Sequence, residues 1–375
     1  MIAYNKEWLY NSYVMQQAVE AVHSGCIGRE RYEQLKADKP VKFYSPNIYA
    51  TIALGLLTVV IVAFATGLLA LIFQPEKGAA IFCVFLGGLC WGAAELAIAQ
   101  NAHYNSGVDN ILVWAAAVFF IFAAAIGFGF FDYNPGRQWH PEGMVCLLSA
   151  LVCAFLSVRF VDAILSIAAV LALMLSAYFM VGATTTTGSA ILPFALMAVS
   201  ALVFIFANKY TASLVLYRTC LRYVKITALL LFYAAGNYFM LQRFNTLVFM
   251  KFGAAAVAFG WIWTFAIPVV YLFWGIKKKD ILFLRTSLIV LATAVVTFKL
   301  YHHVLSQEAA LLLAGIVLIA ASYSLIRFLH VPKGGFTFAP DAIVTDRPEL
   351  DKVLTGHLIE HASGGTPSGK GDGWG

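Results

Sequence analysis

The stretch that decides the fold lies at residues 48–73 and reads IYATIALGLLTVVIVAFATGLLALIF, without a single charged residue. The hydrocarbon core of a bilayer is about 30 Å thick, and a helix needs about 20 apolar residues to cross it. Inside lipid every backbone N–H and C=O group must find a partner within the chain, which a helix provides. Residues 48–73 are therefore predicted to form a transmembrane helix.

Similar apolar stretches follow along the chain, which is 61% hydrophobic and only 12% charged. A soluble domain carries about 25% charged residues. The longest stretch, residues 143–182, would run about 60 Å as one helix, so we place a turn at its polar break, from Arg159 to Asp162. The predicted fold is all-α, a polytopic membrane bundle of about ten transmembrane helices. The predicted spans are 48–73, 78–99, 110–131, 142–158, 161–182, 189–208, 224–242, 253–275, 281–300 and 308–329.

Polar segments flank this membrane domain, which we place at residues 48–330. Residues 1–47 are predicted to form a small cytoplasmic helical hairpin, because apolar residues recur at steps of three and four until Pro40. Its stripe is formed by Tyr4, Trp8, Asn11, Met15, Val19 and Val22. Residues 331–375 are predicted to be a cytoplasmic tail, Gly/Ser-rich and disordered at its end.

The basic residues indicate the orientation in the membrane. If the N-terminus is cytoplasmic and all ten spans are real, most of the 25 Lys and Arg residues fall in the inner loops and tails. Cytoplasmic loops of membrane proteins carry this excess of positive charge. Both ends of the chain are therefore predicted to be cytoplasmic.

Several function classes are disfavoured by the sequence. The formal net charge is +6, but the basic residues alternate with apolar stretches and form no continuous patch for nucleic acid. The six cysteines include no Cys-x-x-Cys motif. Walker, His-Glu-x-x-His and Gly-x-Ser-x-Gly motifs are also absent from the sequence. We predict no cofactor, no metal and, on balance, no enzymatic activity.

Glu95 is the carboxylate placed deepest in a predicted span. It follows Gly88 and Gly92 on one helical face, so we expect its side chain to point at a neighbouring helix. Intramembrane charges often mark a substrate or proton site. The alternative is a structural ion pair with Arg159, Arg222 or Lys225, which are predicted at the same membrane face.

Arg159 and Asp162 flank the predicted tight inner turn and complete the candidate substrate-binding set with Glu95. Their spacing favours a pair that caps the two adjoining helices. The alternative is a cytoplasm-facing polar vestibule shared with Glu95, His103 and Asp109.

A different arrangement would suit an enzyme of envelope lipids or glycans at the outer face. It would require convergence of the outer-loop groups Asp132, His140, His302, His303 and Glu308. Adjacent histidines point about 100° apart on a helix, whereas a catalytic zinc usually has three protein ligands in fixed geometry. We therefore favour ordinary interfacial histidines.

The motif Ser24-Gly25-Cys26-Ile27, followed by Arg31-Tyr32-Glu33, and the stretch from Phe43 to Asn47 (FYSPN) resemble a group of bacterial membrane proteins. Those proteins, of Bacteroidota type, carry an N-terminal helical-hairpin domain of unknown function followed by many transmembrane helices. The resemblance implies a bacterial inner membrane location and brings no catalytic residues.

The first functional hypothesis is binding or transport of a small molecule or lipid through the helix bundle. The second is the membrane-embedded enzyme, and the third is a scaffold that recruits a protein partner through residues 1–47. The expected partners are thus the lipid bilayer, a small-molecule or lipid ligand, and a protein at the hairpin.

Overall fold

The computed structural model describes residues 2–23, 26–75, 78–131, 141–182, 186–211, 213–242, 254–278 and 280–301, with a few positions between 315 and 327. Its regular structure there is helical, apart from an isolated bridge between Tyr44 and His103. The α-helices are α1 (Lys6–His23), α2 (Arg29–Asp38), α3 (Ile48–Phe73), α4 (Ala79–Asn101), α5 (Val108–Gly127), α6 (Pro141–Phe160), α7 (Ala163–Gly182), α8 (Thr186–Tyr210), α9 (Arg218–Gly236), α10 (Ala254–Lys278) and α11 (Ile281–Tyr301).

Within the described residues, 8 helices are long and apolar enough to cross a membrane, which makes the chain a multi-pass membrane protein. They are α3 to α8, α10 and α11, and they coincide with eight of the predicted spans to within a few residues. The helix predicted over 224–242 differs, because α9 ends at Gly236 and a second helical stretch begins at Tyr238. The span predicted over 308–329 lies almost entirely outside the described residues.

Helices adjacent in sequence pack together most extensively, as α4 with α5, α6 with α7, α8 with α9, and α10 with α11. Helix α3 is the exception. Asn47 caps its start by accepting the Ala50 N–H at 2.9 Å, but only Gly55 and Thr58 among its residues are buried. Gly55 faces the loop before α5, so α3 otherwise presents its apolar side chains outward.

The chain divides into two units. The larger comprises Met1–Lys6 and Lys42–His303, and the smaller includes Glu7–Val41. In the smaller unit Asn11 in α1 donates its side-chain N–H to the Pro40 carbonyl at 3.3 Å, which ties α1 to the chain after α2. The residues before and after this unit, Ile2–Lys6 and Lys42–Asn47, belong to the larger unit.

Candidate functional site

The polar side chains predicted to carry function converge at one end of the bundle, which we call the Asp109 end. Helices α4 and α6 end there, and α5 and α7 begin there. The loop 102–107 joins α4 to α5, and a two-residue turn joins α6 to α7.

Glu95 and Arg159 form an ion pair between α4 and α6. The Arg159 guanidinium donates Nε–H to Glu95 Oε1 at 2.7 Å and Nη2–H to Oε2 at 3.0 Å. Trp91, one turn before Glu95, donates its indole N–H to Oε1 at 3.1 Å. Arg159 lies in the last turn of α6, where the helix dipole favours a cation. The two side chains remain 27% and 30% exposed, so the pair is accessible.

The surroundings of the pair are apolar and open. Leu96, Phe155 and Val158 are each more than half exposed next to it in sequence. Gly88 and Gly92 are also exposed, rather than covered by the neighbouring helix that the sequence led us to expect. The Glu95–Arg159 pair therefore belongs to an outward-facing surface of α4 and α6.

Asp162 has a different set of partners. Its carboxylate accepts the Leu165 N–H at 2.7 Å, which caps the start of α7, and the Trp114 indole N–H at 3.1 Å. Val161 before it adopts a left-handed conformation at φ 52°, and the Asp162 N–H returns to the Ser157 carbonyl at 3.3 Å, which closes the end of α6. The predicted Arg159–Asp162 pair is thus replaced by two separate arrangements: Arg159 binds Glu95, and Asp162 joins α7 to α5.

Asp109 is the most enclosed carboxylate at this end, with 0% of its surface exposed. Oδ1 accepts the backbone N–H of Ser106 at 2.9 Å and its hydroxyl at 3.0 Å. Oδ2 accepts the Asn105 N–H at 3.0 Å and the Tyr4 hydroxyl at 2.9 Å. Ser106 also contacts His103 Nδ1 at 2.8 Å. Four donors and the first turn of α5 together stabilise a negative charge there.

The segment Ile2–Asn5 lies where the alternative prediction placed a cytoplasm-facing polar vestibule. The Ala3 N–H donates to the Arg159 carbonyl at 2.8 Å. Tyr4 is only 5% exposed and packs in one apolar cluster with residues of all four helices. These include Ala94, Val113, Phe160 and Leu165. Tyr4 is therefore not part of the predicted stripe of the hairpin helix, because α1 begins after it, at Lys6.

Three aromatic rings pack together beside the Tyr4–Asp109 hydrogen bond. The rings of Phe43 and Tyr104 stack at 4.8 Å, and Tyr4 meets Tyr104 edge-on at 5.1 Å. Burial raises the pKa of the Tyr4 hydroxyl above its ordinary value, and the adjacent Asp109 carboxylate raises it further. Tyr4 therefore acts as a hydrogen-bond donor at any physiological pH.

Comparison with protein-family models, with curated proteins and with solved structures gave no match.

A second polar cluster surrounds the break between α9 and the helical stretch at Tyr238. Asn237 accepts the Phe239 N–H at 2.8 Å and donates to the Tyr233 hydroxyl at 2.8 Å. It also contacts Thr297 of α11 at 3.3 Å. The Tyr238 N–H donates to Thr264 of α10 at 3.1 Å. The Asn237 and Thr264 side chains thus accept the backbone N–H groups that the break releases, and Thr297 bonds the Asn237 amide. An interrupted helix in lipid requires such partners.

No group of three or more potential metal ligands occurs within the part of the chain that the structure describes. The predicted outer-face set, Asp132, His140, His302, His303 and Glu308, lies outside those residues. The enzyme hypothesis therefore stays a prediction.

Proposed function

We propose that this multi-pass membrane protein binds or transports a small molecule or lipid, with Glu95 and Arg159 as ligand contacts. The supporting observation is their accessible ion pair among exposed apolar side chains. A lone charge in such surroundings would be costly, but a matched pair can meet the two charges of a zwitterionic head group. The exposed Leu96 and Phe155 would contact an acyl chain. This chemistry favours a phospholipid or similar amphiphile.

The experiment compares thermal unfolding of the purified full chain in lipid-free micelles and in micelles with added phosphatidylethanolamine. Wild type should be stabilised by the lipid, and Glu95→Gln/Arg159→Gln should lose that stabilisation, because two amides can bond to each other without offering charges. Arg31→Gln, which changes an exposed cation of α2 that contacts only Gln34 in the described bonds, is the matched control. Equal stabilisation of the double variant would show that the pair is purely structural.

The topology we propose has ten transmembrane helices in a bacterial inner membrane, with both chain ends cytoplasmic. The charge distribution and the resemblance of residues 24–33 and 43–47 support it. In this topology α9 and residues 308–329 supply the two further spans, and residues 1–47 form the cytoplasmic hairpin. Single cysteines placed beside Lys278 and Thr186 test the orientation in intact cells. Labelling from outside at Lys278 with protection at Thr186 would invert the scheme.

A second candidate function is recruitment of a protein partner by the α1–α2 segment. The two helices enclose an open groove of about 540 Å³ with both apolar and charged walls. Met15, Val19, Lys36 and Lys39 are among its lining residues. Deletion of residues 7–41 should then abolish complex formation while membrane insertion is retained. A complex that survives the deletion would exclude this role.

A further inference from the structure

The two connections that link residues 7–41 to the membrane domain meet at one place. Tyr4 precedes this segment and Phe43 follows it, and their ring centroids lie 6.1 Å apart. Both rings contact Tyr104 in the loop between α4 and α5. Both chain connections of this segment therefore reach the Asp109 end.

The two connections are attached differently. Tyr44 is bonded through its backbone in both directions, since its N–H donates to the Ala102 carbonyl at 2.9 Å and its carbonyl accepts the Tyr104 N–H at 3.2 Å. Ile2–Asn5 is a non-helical segment inserted among helices. Its polar attachments to the bundle include the Ala3 N–H bond to Arg159 and the Tyr4 hydroxyl bond to Asp109.

If Tyr4 moved away, Asp109 would keep most of its hydrogen bonds. Three of the four donors to Asp109 come from the adjacent residues Asn105 and Ser106, which stay in place without Tyr4. The Arg159 carbonyl lies at a helix end, where carbonyl groups commonly bond to water. The segment can therefore leave without stranding a buried charge, whose desolvation would otherwise prohibit the movement.

We propose that Ile2–Asn5 is a displaceable plug over the Asp109 end and that the Tyr4–Asp109 hydrogen bond is its latch. Helix α1 begins at Lys6, two residues after Tyr4, so the plug is directly continuous with α1. Withdrawal opens the space among α4, α5, α6 and α7, next to the Glu95–Arg159 pair. The role of the plug in admitting a ligand rests on the proposed function, but its displacement does not.

Cys220 provides a native reporter at the Asp109 end. It is 5% exposed at the start of α9, lies near Tyr104, and contacts Ser157 and Ser166 at the α6–α7 turn. A full-length protein with the other five cysteines replaced by alanine would be treated with a water-soluble maleimide, and the rate of Cys220 alkylation would be followed. Tyr4→Phe should raise this rate about tenfold, as loss of a hydrogen bond to a charged group predicts. Tyr49→Phe, on the outer surface of α3, should leave it unchanged.

Hydrogen exchange of the unmodified protein tests the plug even if Tyr4→Phe fails to fold. The amides of Ala3 and Tyr4 should exchange at least a hundredfold faster than those of the buried part of α5, because the plug opens without global unfolding. Exchange at the same rate as α5 would overturn the proposal. So would a Cys220 alkylation rate in a folded Tyr4→Phe variant within twofold of wild type. Cys220 alkylation and hydrogen exchange are both measured without added lipid. A failure to bind lipid would therefore overturn the proposed function but not the plug.

Discussion

Replacement of Asp109 by Asn tests how this buried carboxylate is stabilised. Each of its two oxygens accepts two hydrogen bonds, and an amide has only one oxygen, so at most two of the four donors keep an acceptor on this side chain. The new NH2 group can only donate, which a hydroxyl tolerates by reversing its bond and a backbone N–H does not. Hydrogen bonds to charged groups contribute about 1.5–3 kcal/mol each, so the lost pair amounts to about 3–6 kcal/mol. Removal of a fully buried charge offsets part of this loss, because the desolvation cost disappears. We expect Asp109→Asn to lower the free energy of unfolding by about 2–4 kcal/mol.

The measurement is reversible unfolding of the full chain in mixed micelles, followed by circular dichroism as the denaturing detergent fraction rises. Asp38→Asn, an exposed carboxylate at the end of α2, is the control and should change the free energy by less than about 0.5 kcal/mol. The refuting result is an Asp109→Asn variant that is as stable as wild type or more stable. Desolvation of the carboxylate would then outweigh its four hydrogen bonds.

Three further predictions concern named backbone and side-chain contacts. Gly107→Ala should destabilise the protein by about 2–5 kcal/mol, because φ is 89° and the new Cβ would overlap the Thr51 carbonyl of α3; Gly67→Ala, which meets open space, should stay within about 1 kcal/mol in the same assay. Asn237→Ala should cost about 2 kcal/mol in detergent unfolding, since it removes a helix cap and two side-chain partners. The stability difference between wild type and Tyr4→Phe should stay constant up to about pH 9 and shrink above about pH 10, measured by unfolding at each pH. The pKa of the Tyr4 hydroxyl is higher in the folded than in the unfolded protein. Above about pH 10 the unfolded state therefore loses this proton first, and the stabilisation by the hydroxyl decreases as the pH rises.

Span positions could be predicted from the sequence because lipid imposes a simple length and composition rule on each segment separately. The break after α9 could not. Gly236-Asn237 lies within an apolar stretch, and the groups that make the break tolerable, Thr264 and Thr297, come from two later helices. Such a break depends on long-range contacts that no local pattern records.

The sequence could predict how deep in the membrane the site residues lie, but not which side chains they contact. Position along a helix placed Glu95 and Arg159 at one membrane face, yet Arg159 was one of three possible partners. The Tyr4–Asp109 bond joins residues 105 positions apart in the sequence. A tyrosine next to a helix start gives no signal that it leaves the helix and enters a bundle, so this contact required the structure.

Hydrogen bonds and ion pairs contribute much of the stability of helix packing at the Asp109 end. Lipid tails are as apolar as leucine, so burial of apolar side chains contributes little to helix association. Glu95–Arg159 joins α4 to α6, and Trp114–Asp162 joins α5 to α7. Removal of Arg159 would leave Glu95 with the Trp91 indole N–H, and removal of Trp114 would leave Asp162 with the Leu165 N–H, which is one described donor in each case. Tyr4 differs, because Asp109 keeps three local donors without it. The tie to the non-helical segment is therefore the weakest of the three, and it is where we expect the bundle to open first.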